Sequence, residues 1–196
     1  LITGAASGIG KETAIESSKM GAKIVAVDLN ADGLNALAPQ LEGEGHLTFD
    51  GNLCNDEFLK LLAENAPVLN GVFLCAGVSD TTLVKFLTEE KIDRVFNINV
   101  KAPVMMLKYL LKKKKVADGG SLVWMSSYGA EKVEPGLGIY AASKSAVNGF
   151  MRAYAKELIG KKIRSNSIMP MMIKTELIST LTTISEEDWK KQEAMY

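Results

Sequence analysis

Short apolar runs alternate with longer, more polar segments along this chain. The apolar runs are rich in β-branched residues and predict strands at residues 1–2, 23–27, 47–49, 71–75, 121–125 and 163–168. Between them, apolar residues recur at helical spacing and predict helices at residues 11–20, 31–41, 57–65, 88–113 and 140–158. Strands that alternate with helices favour a parallel sheet covered on both faces. We therefore expect an α/β protein with a doubly wound parallel sheet, in a single domain spanning residues 1–196.

Glycine and proline positions refine two of these helices. Gly21 directly follows the first predicted helix, where a glycine commonly ends a helix in the left-handed conformation. Pro103 lies within the long fourth helical segment, which predicts either a kink or a new helix whose first turn contains the proline.

Composition and charge exclude several functional classes. The 196 residues carry 23 basic and 23 acidic side chains, so the chain lacks the basic excess that nucleic-acid binding requires. One histidine and two cysteines argue against a metal site and against a disulfide framework. The sequence contains neither an apolar run long enough to cross a membrane nor a signal-peptide pattern at its start. We expect a cytoplasmic protein with no metal, membrane or nucleic-acid partner.

A glycine-rich segment follows the first strand and precedes the first helix. Its candidate cofactor-binding residues are Gly4, Ser7, Gly8, Ile9 and Gly10. Glycines at such a turn let the backbone and the helix N-terminus approach a pyrophosphate. The spacing is neither G-x-G-x-x-G nor that of a P-loop, since Glu12 follows Lys11.

A carboxylate at the end of the next strand supports the dinucleotide interpretation. Asp28 lies eighteen residues after Gly10, where an acidic side chain can accept the adenosine ribose hydroxyls. The same charge would repel a 2′-phosphate, and Ser7 offers no basic group to bind one. We therefore expect a dinucleotide that lacks a 2′-phosphate, such as NAD(H) rather than NADP(H), held in part by Asp28 and its neighbour Leu29.

Three side chains form a candidate catalytic set. Tyr140 and Lys144 lie four residues apart on a predicted helix and therefore share one face. A nearby ammonium favours the ionised phenol and lowers its pKa, which makes the pair suitable for proton transfer. Ser127 follows a predicted strand, at the end of the sheet where open α/β folds bind ligands.

These motifs together resemble the short-chain dehydrogenase/reductase family, whose fold is Rossmann-like. The matching features are Thr-Gly-x-x-x-Gly-x-Gly from Thr3 and Tyr-x-x-x-Lys from Tyr140, with Ser127 thirteen residues before the tyrosine. The resemblance implies hydride transfer between a nicotinamide and a small-molecule carbonyl or secondary alcohol. It implies that Tyr140 exchanges the proton and that Ser127 holds the substrate oxygen. Lys144 would lower the pKa of Tyr140 and bind the nicotinamide ribose, while Asn99 would anchor a proton-relaying water.

The resemblance also implies further cofactor contacts, at Asn52, Leu53, Ala76, Gly77, Pro170 and Thr175. It places the chain near 3-oxoacyl-(acyl-carrier-protein) reductases, polyol dehydrogenases and hydroxysteroid dehydrogenases, with the first preferred. The family usually forms homotetramers through helices that correspond to those near Val104 and Tyr140, so we expect a dimer or tetramer. Family members begin earlier and continue further, so we expect a chain that is truncated or incomplete at both ends.

Two other functions stay open at this point. Cys75 replaces an asparagine and Met171 replaces a glycine of the family pattern, which leaves room for a non-catalytic NAD(H)-binding regulator. We expect Cys75 to be a packed thiol, because it ends an apolar strand. Sugar-nucleotide epimerases and dehydratases share Tyr-x-x-x-Lys, but the spacing of Gly4, Gly8 and Gly10 disfavours them.

Overall fold

The computed structural model describes residues 1–171 and 173. Within them, one parallel sheet contains the strands β1 (Ile2–Thr3), β2 (Val25–Asp28), β3 (Leu47–Asp50), β4 (Leu69–Leu74), β5 (Val116–Met125) and β6 (Arg164–Ile168). The α-helices are α1 (Gly8–Lys19), α2 (Ala31–Leu37), α3 (Asp56–Asn65), α4 (Glu89–Phe96), α5 (Ala102–Lys112) and α6 (Gly138–Glu157). The predicted α/β class and doubly wound parallel sheet are confirmed.

The order of the strands locates the ligand crevice. The sheet runs β3-β2-β1-β4-β5-β6, so the chain order reverses between β1 and β4. Open α/β sheets bind ligands outside the carboxyl ends of the strands at such a reversal. Thr3 joins the ends of the two strands, because its Oγ1 accepts the backbone N–H of Cys75 at 3.0 Å and of Ala76 at 3.1 Å. The segments that follow β1 and β4 are therefore held side by side.

Alternate strand residues face two different layers of helices. Val25 and Val27 pack with residues of α3, α5 and α6 in one core cluster. Ile24 and Ala26 belong to a second cluster that includes residues of α1 and α2. Both faces of the strand are buried, which explains why its sequence is a continuous apolar run.

The long helical segment predicted at residues 88–113 forms two helices. Between α4 and α5, Asn97–Lys101 makes a wide turn in which the backbone N–H of Ala102 donates to the carbonyl of Asn97, five residues earlier. Pro103 lies in the first turn of α5, where the missing N–H breaks no helical hydrogen bond. Of the two alternatives for Pro103, the first-turn position is correct.

Several boundaries differ from the prediction. The first helix begins at Gly8 rather than at residue 11, so the last glycines of the turn belong to the helix itself. The second α-helix ends at Leu37 and continues as a 3-10 turn that contains Pro39. The fifth strand begins at Val116 rather than at residue 121, and its pairing with β4 shifts register near Gly71.

Candidate active site

The glycine-rich turn needs its glycines for steric reasons. Gly4 and Gly8 adopt positive φ angles of +68° and +49°, which residues with a Cβ rarely tolerate. A Cβ on Gly10 would lie 2.1 Å from the carbonyl oxygen of Gly4, and one on Gly4 would lie 3.0 Å from the Cα of Ala76. The turn is thus folded tightly on itself and pressed against the end of β4.

The N-terminus of α1 differs from those of the next three helices. Asn30, Asn55 and Thr88 cap α2, α3 and α4 with a side-chain oxygen. Ser7 holds the N-cap position of α1, but its side chain makes no capping hydrogen bond to the described residues. The first turn of α1 contains no acidic residue. The helix therefore presents unpaired N–H groups and a partial positive charge, which suit a bound phosphate.

A cleft with a volume of about 160 Å³ joins this turn to the catalytic candidates. The predicted cofactor residues along it are Gly4, Ser7, Gly8, Ile9, Gly10, Ala76, Gly77 and Pro170. The predicted catalytic residues along it are Ser127, Tyr140 and Lys144. The tight glycine turn and the open helix N-terminus fit a dinucleotide, because both let a pyrophosphate approach the backbone.

Asp28 lies at the end of β2 and contacts the same turn. Its Oδ2 accepts the backbone N–H of Ala6 at 3.0 Å, and its Oδ1 accepts the backbone N–H of Asn30 at 2.9 Å. These two hydrogen bonds fix the carboxylate beside the turn. Each oxygen keeps a further lone pair that can accept a hydroxyl.

Burial dominates the electrostatics of Tyr140 and Lys144. The side chain of Lys144 is 3% exposed, and its Nζ donates to the carbonyl of Met125 at 2.8 Å. Burial lowers the pKa of Lys144 to about 8, because the charged ammonium has lost its water. The Nζ lies 5.6 Å from the centre of the Tyr140 ring.

The pKa of Tyr140 differs from the expectation. Proximity to Lys144 predicts a lowered pKa, yet burial of the phenol raises the pKa of Tyr140, and a hydrogen bond with Ser127 opposes this rise. The phenol is itself largely desolvated, and desolvation favours its neutral form. In this geometry Tyr140 is a protonated phenol at neutral pH, in the form that donates a proton.

Asn99 lies in the wide turn between α4 and α5 and is 2% exposed. Its side-chain amide exchanges hydrogen bonds with the backbone of Val78, donating to the carbonyl at 2.9 Å and accepting the N–H at 2.8 Å. A Cβ built on Gly77 would lie 3.2 Å from Asn99 Oδ1 and 3.3 Å from Lys144 Nζ. Asn99 therefore lies directly behind the cleft, next to Lys144.

Comparison with known proteins now gives the family. A family model described as short chain dehydrogenase matches residues 1–185. The chain belongs to the short-chain dehydrogenase family. It is 33% identical over 197 residues to the 3-oxoacyl-(acyl-carrier-protein) reductase FabG of Thermotoga maritima. The alignment covers 95% of this chain and 78% of that relative.

Solved structures agree with this assignment. A short chain dehydrogenase from Shigella flexneri complexed with NADP superposes with a TM-score of 0.86 at 31% identity, over 95% of this chain and 82% of that one. A 3-ketoacyl-(acyl-carrier-protein) reductase from Brucella melitensis complexed with NADH superposes with a TM-score of 0.83 at 27% identity. The superposition covers 91% of this chain and 77% of that one. This short-chain dehydrogenase is an NAD(P)-dependent oxidoreductase that acts on alcohol or ketone groups.

Some predicted residues lie outside the cleft of this short-chain dehydrogenase. Among the described residues, the cleft lining does not include Asp28, Leu29, Asn52 or Leu53, which lie at or just after the ends of β2 and β3. The Oδ1 of Asn52 accepts the backbone N–H of Cys54 at 2.8 Å, and Leu29 is 71% exposed. Leu53 lines a separate cavity between α3 and α5. The predicted contact at Thr175 lies outside the described residues.

Other residues reach the cleft without having been predicted as site residues. Met125 and Ser126 line it at the end of β5, and Ile173 lines it beyond Pro170. The signal for the first two was their position directly before Ser127, at the carboxyl end of a strand. Cys75 also lines the cleft, and burial raises the pKa of its thiol to about 11, so it carries no thiolate at neutral pH.

The single histidine and the acidic side chains of this short-chain dehydrogenase do not come together as a metal site in its described residues. In residues 1–171 and 173, no group of three His, Cys, Asp or Glu side chains is arranged to hold a metal ion. His46 Nδ1 accepts the backbone N–H of Ile24 at 3.0 Å, and its Nε2 lies 3.0 Å from the carbonyl of Glu42, so the ring joins two backbone segments. Over the same residues, no helix has the length and apolarity needed to span a membrane.

Proposed function

We propose that this enzyme transfers hydride between NAD(H) and a 3-oxoacyl thioester or a related ketone, using Tyr140, Ser127, Lys144 and Asn99. The observation that supports this most is the cleft, in which the glycine turn and the side chains of Ser127, Tyr140 and Lys144 line one volume. The bound nicotinamide supplies or receives the hydride. The protein must then bind the substrate oxygen and move one proton.

Tyr140 is the proposed proton donor in the reductive direction. Its phenol is protonated at neutral pH, since burial raises its pKa. As negative charge develops on the substrate oxygen, the Tyr140 O–H gives up its proton, and the Ser127 hydroxyl holds the same oxygen. The Lys144 ammonium, 5.6 Å from the ring, stabilises the phenolate that remains.

Replacing the phenol oxygen tests this assignment. Tyr140→Phe is expected to lower kcat by about 100-fold or more, the usual contribution of a general acid. The matched control is Tyr109→Phe, whose hydroxyl donates to Asp56 at the surface. NADH binding, followed by its fluorescence, is expected to persist in both variants. Turnover by Tyr140→Phe equal to that of the control would contradict the proposed role.

The preference for NAD(H) follows from the charge beside the turn. The carboxylate of Asp28 is held there by the N–H groups of Ala6 and Asn30, and neither Ser7 nor Leu29 supplies a basic group for a phosphate. Solved relatives are complexed with NADP or with NADH, so the proposed preference rests on the charge of Asp28 and not on the relatives. The neutral Asp28→Asn keeps a side-chain oxygen as acceptor but removes the repulsion.

Steady-state kinetics with NADH and NADPH in separate runs test the preference. We expect NADH to be favoured in kcat/KM, and we expect Asp28→Asn to lower that ratio by about tenfold, which corresponds to about 1.4 kcal/mol. Glu12→Gln removes an exposed carboxylate from α1, the helix that follows the glycine turn, and serves as the charge control. A wild-type preference for NADPH would refute the argument from Asp28 and leave the catalytic assignment intact.

The thioester substrate is proposed from the relatives. The names of one sequence relative and one structural relative specify reductases of 3-oxoacyl or 3-ketoacyl groups on acyl-carrier protein. Consumption of NADH with acetoacetyl thioester, compared with oxidation of a polyol and of a hydroxysteroid, distinguishes the substrate classes. Binding of NADH without turnover on any of these would favour the non-catalytic regulator.

We also propose that the enzyme is a homo-oligomer, a dimer or tetramer, assembled through α5 and α6. Phe150 of α6 is 38% exposed, which leaves an aromatic side chain available for such a contact. Light scattering measures the mass in solution. A monomer at micromolar concentration would contradict this part of the proposal.

A further inference from the structure

A hydroxyl group of α6 holds the buried amide of Asn99. Ser143, between Tyr140 and Lys144 in the sequence, is 0% exposed. Its Oγ donates to the carbonyl of Tyr140 at 2.7 Å and accepts an N–H of the Asn99 amide at 3.0 Å. The single hydroxyl hydrogen is used in the bond to the Tyr140 carbonyl, so toward Asn99 the Ser143 oxygen can act only as an acceptor.

Every hydrogen of the Asn99 amide is thereby used. One N–H goes to the carbonyl of Val78, the other goes to Ser143, and the amide oxygen accepts the N–H of Val78. A flipped amide would place its oxygen against the Val78 carbonyl, so one orientation is fixed. Without the Ser143 hydroxyl, a buried N–H loses its acceptor, and the amide is held by Val78 alone.

We propose that Ser143 is a positioning residue that acts on the reaction through Asn99. Asn99 and the Nζ of Lys144 both approach Gly77, within 3.2 and 3.3 Å of where a Cβ there would lie. An amide that rotates about its side chain changes the surroundings of the Lys144 ammonium at the rear of the cleft. This inference rests on the proposed function for Asn99 and Lys144, and its tests separate the two.

The first test is Ser143→Ala in the intact chain. We expect kcat to fall about tenfold, while KM for NADH stays within about twofold, because the hydroxyl bonds to Asn99 and to the backbone of Tyr140 and to no residue of the glycine turn. Ser18→Ala is a matched control, since Ser18 is 2% exposed, donates to the carbonyl of Ile15 at 2.7 Å and accepts the N–H of Glu42 at 2.9 Å. Ser18→Ala also removes a buried hydroxyl that donates one hydrogen bond and accepts another, but at the far end of α1. It is expected to leave kcat unchanged.

The second test asks whether Ser143 acts through Asn99. In a double-mutant cycle, Ser143→Ala is expected to lower kcat in the wild-type background and to add little in the Asn99→Ala background. Equal losses in both backgrounds would mean that Ser143 acts on its own and would overturn the inference.

The third test needs no turnover. Asn99 Oδ1 accepts the N–H of Val78, so hydrogen exchange at that amide reports how firmly the side chain is held. We expect Ser143→Ala, but not Ser18→Ala, to speed this exchange about tenfold. Unchanged exchange and unchanged kcat in Ser143→Ala would refute the positioning role. Faster exchange in an enzyme that tolerates Tyr140→Phe would instead refute the proposed function and leave the structural inference standing.

Discussion

Lys144 makes the stability of this enzyme depend on pH in a predictable direction. Burial lowers its pKa from 10.5 to about 8, so between these values the unfolded chain binds a proton that the folded chain does not. Stability therefore rises with pH through this window. Below pH 8 the buried ammonium costs the fold about 3 kcal/mol, and above pH 10.5 the cost disappears.

Lys144→Met removes the titrating group while keeping an unbranched side chain of similar length. The variant also loses the hydrogen bond to the carbonyl of Met125, a cost that is independent of pH. The informative quantity is therefore the change with pH in the stability of the variant relative to wild type. With the two pKa values above, the free energy of unfolding of the wild type rises by about 2.5 kcal/mol relative to that of the variant between pH 7 and pH 10.

Urea unfolding at pH 7 and pH 10, extrapolated linearly to water, measures this difference. Other titrating groups are common to both proteins and cancel in the comparison. Cys75 stays a thiol over the range, because burial raises its pKa to about 11. Lys156→Met, an exposed lysine on the same helix, is the control and is expected to give no pH-dependent difference. If the stability of Lys144→Met relative to wild type is also independent of pH, the Lys144 ammonium is not desolvated and the reasoning is wrong.

Two predictions concern stability away from the cleft. Ser165→Ala removes the acceptor of the buried Trp124 indole N–H, at 2.9 Å, and is expected to lower the free energy of unfolding by about 1–3 kcal/mol in urea titrations; no loss would show that the indole finds another partner. Lys114 has a φ of +54°, so Lys114→Gly is expected to raise the free energy of unfolding by up to about 1 kcal/mol, whereas Lys108→Gly inside α5 is expected to lower it; thermal melts of the two variants check the opposite signs.

Local sequence determined the elements and much of the cleft. The apolar periodicity identified the strands and most helix bounds, because inner strands such as β2 bury both faces and each helix buries one. Gly21 ends α1 as predicted, with a φ of +85° and its N–H donating to Ser18 at 2.8 Å. The spacing of Ser127, Tyr140 and Lys144 likewise brought three side chains to one cleft. These features depend on neighbouring residues in the chain, which sequence patterns record directly.

What only the tertiary structure decided are the contacts between segments distant in the chain and the solvent exposure they produce. Asn99 and Ser143 are 44 residues apart, and no spacing rule connects them before α6 packs on the wide turn. The four-residue spacing to Lys144 predicts a lowered pKa for Tyr140, but burial of the phenol raises it. A side chain loses its water to the whole surrounding fold, and the residues next to it in the sequence determine only part of that environment.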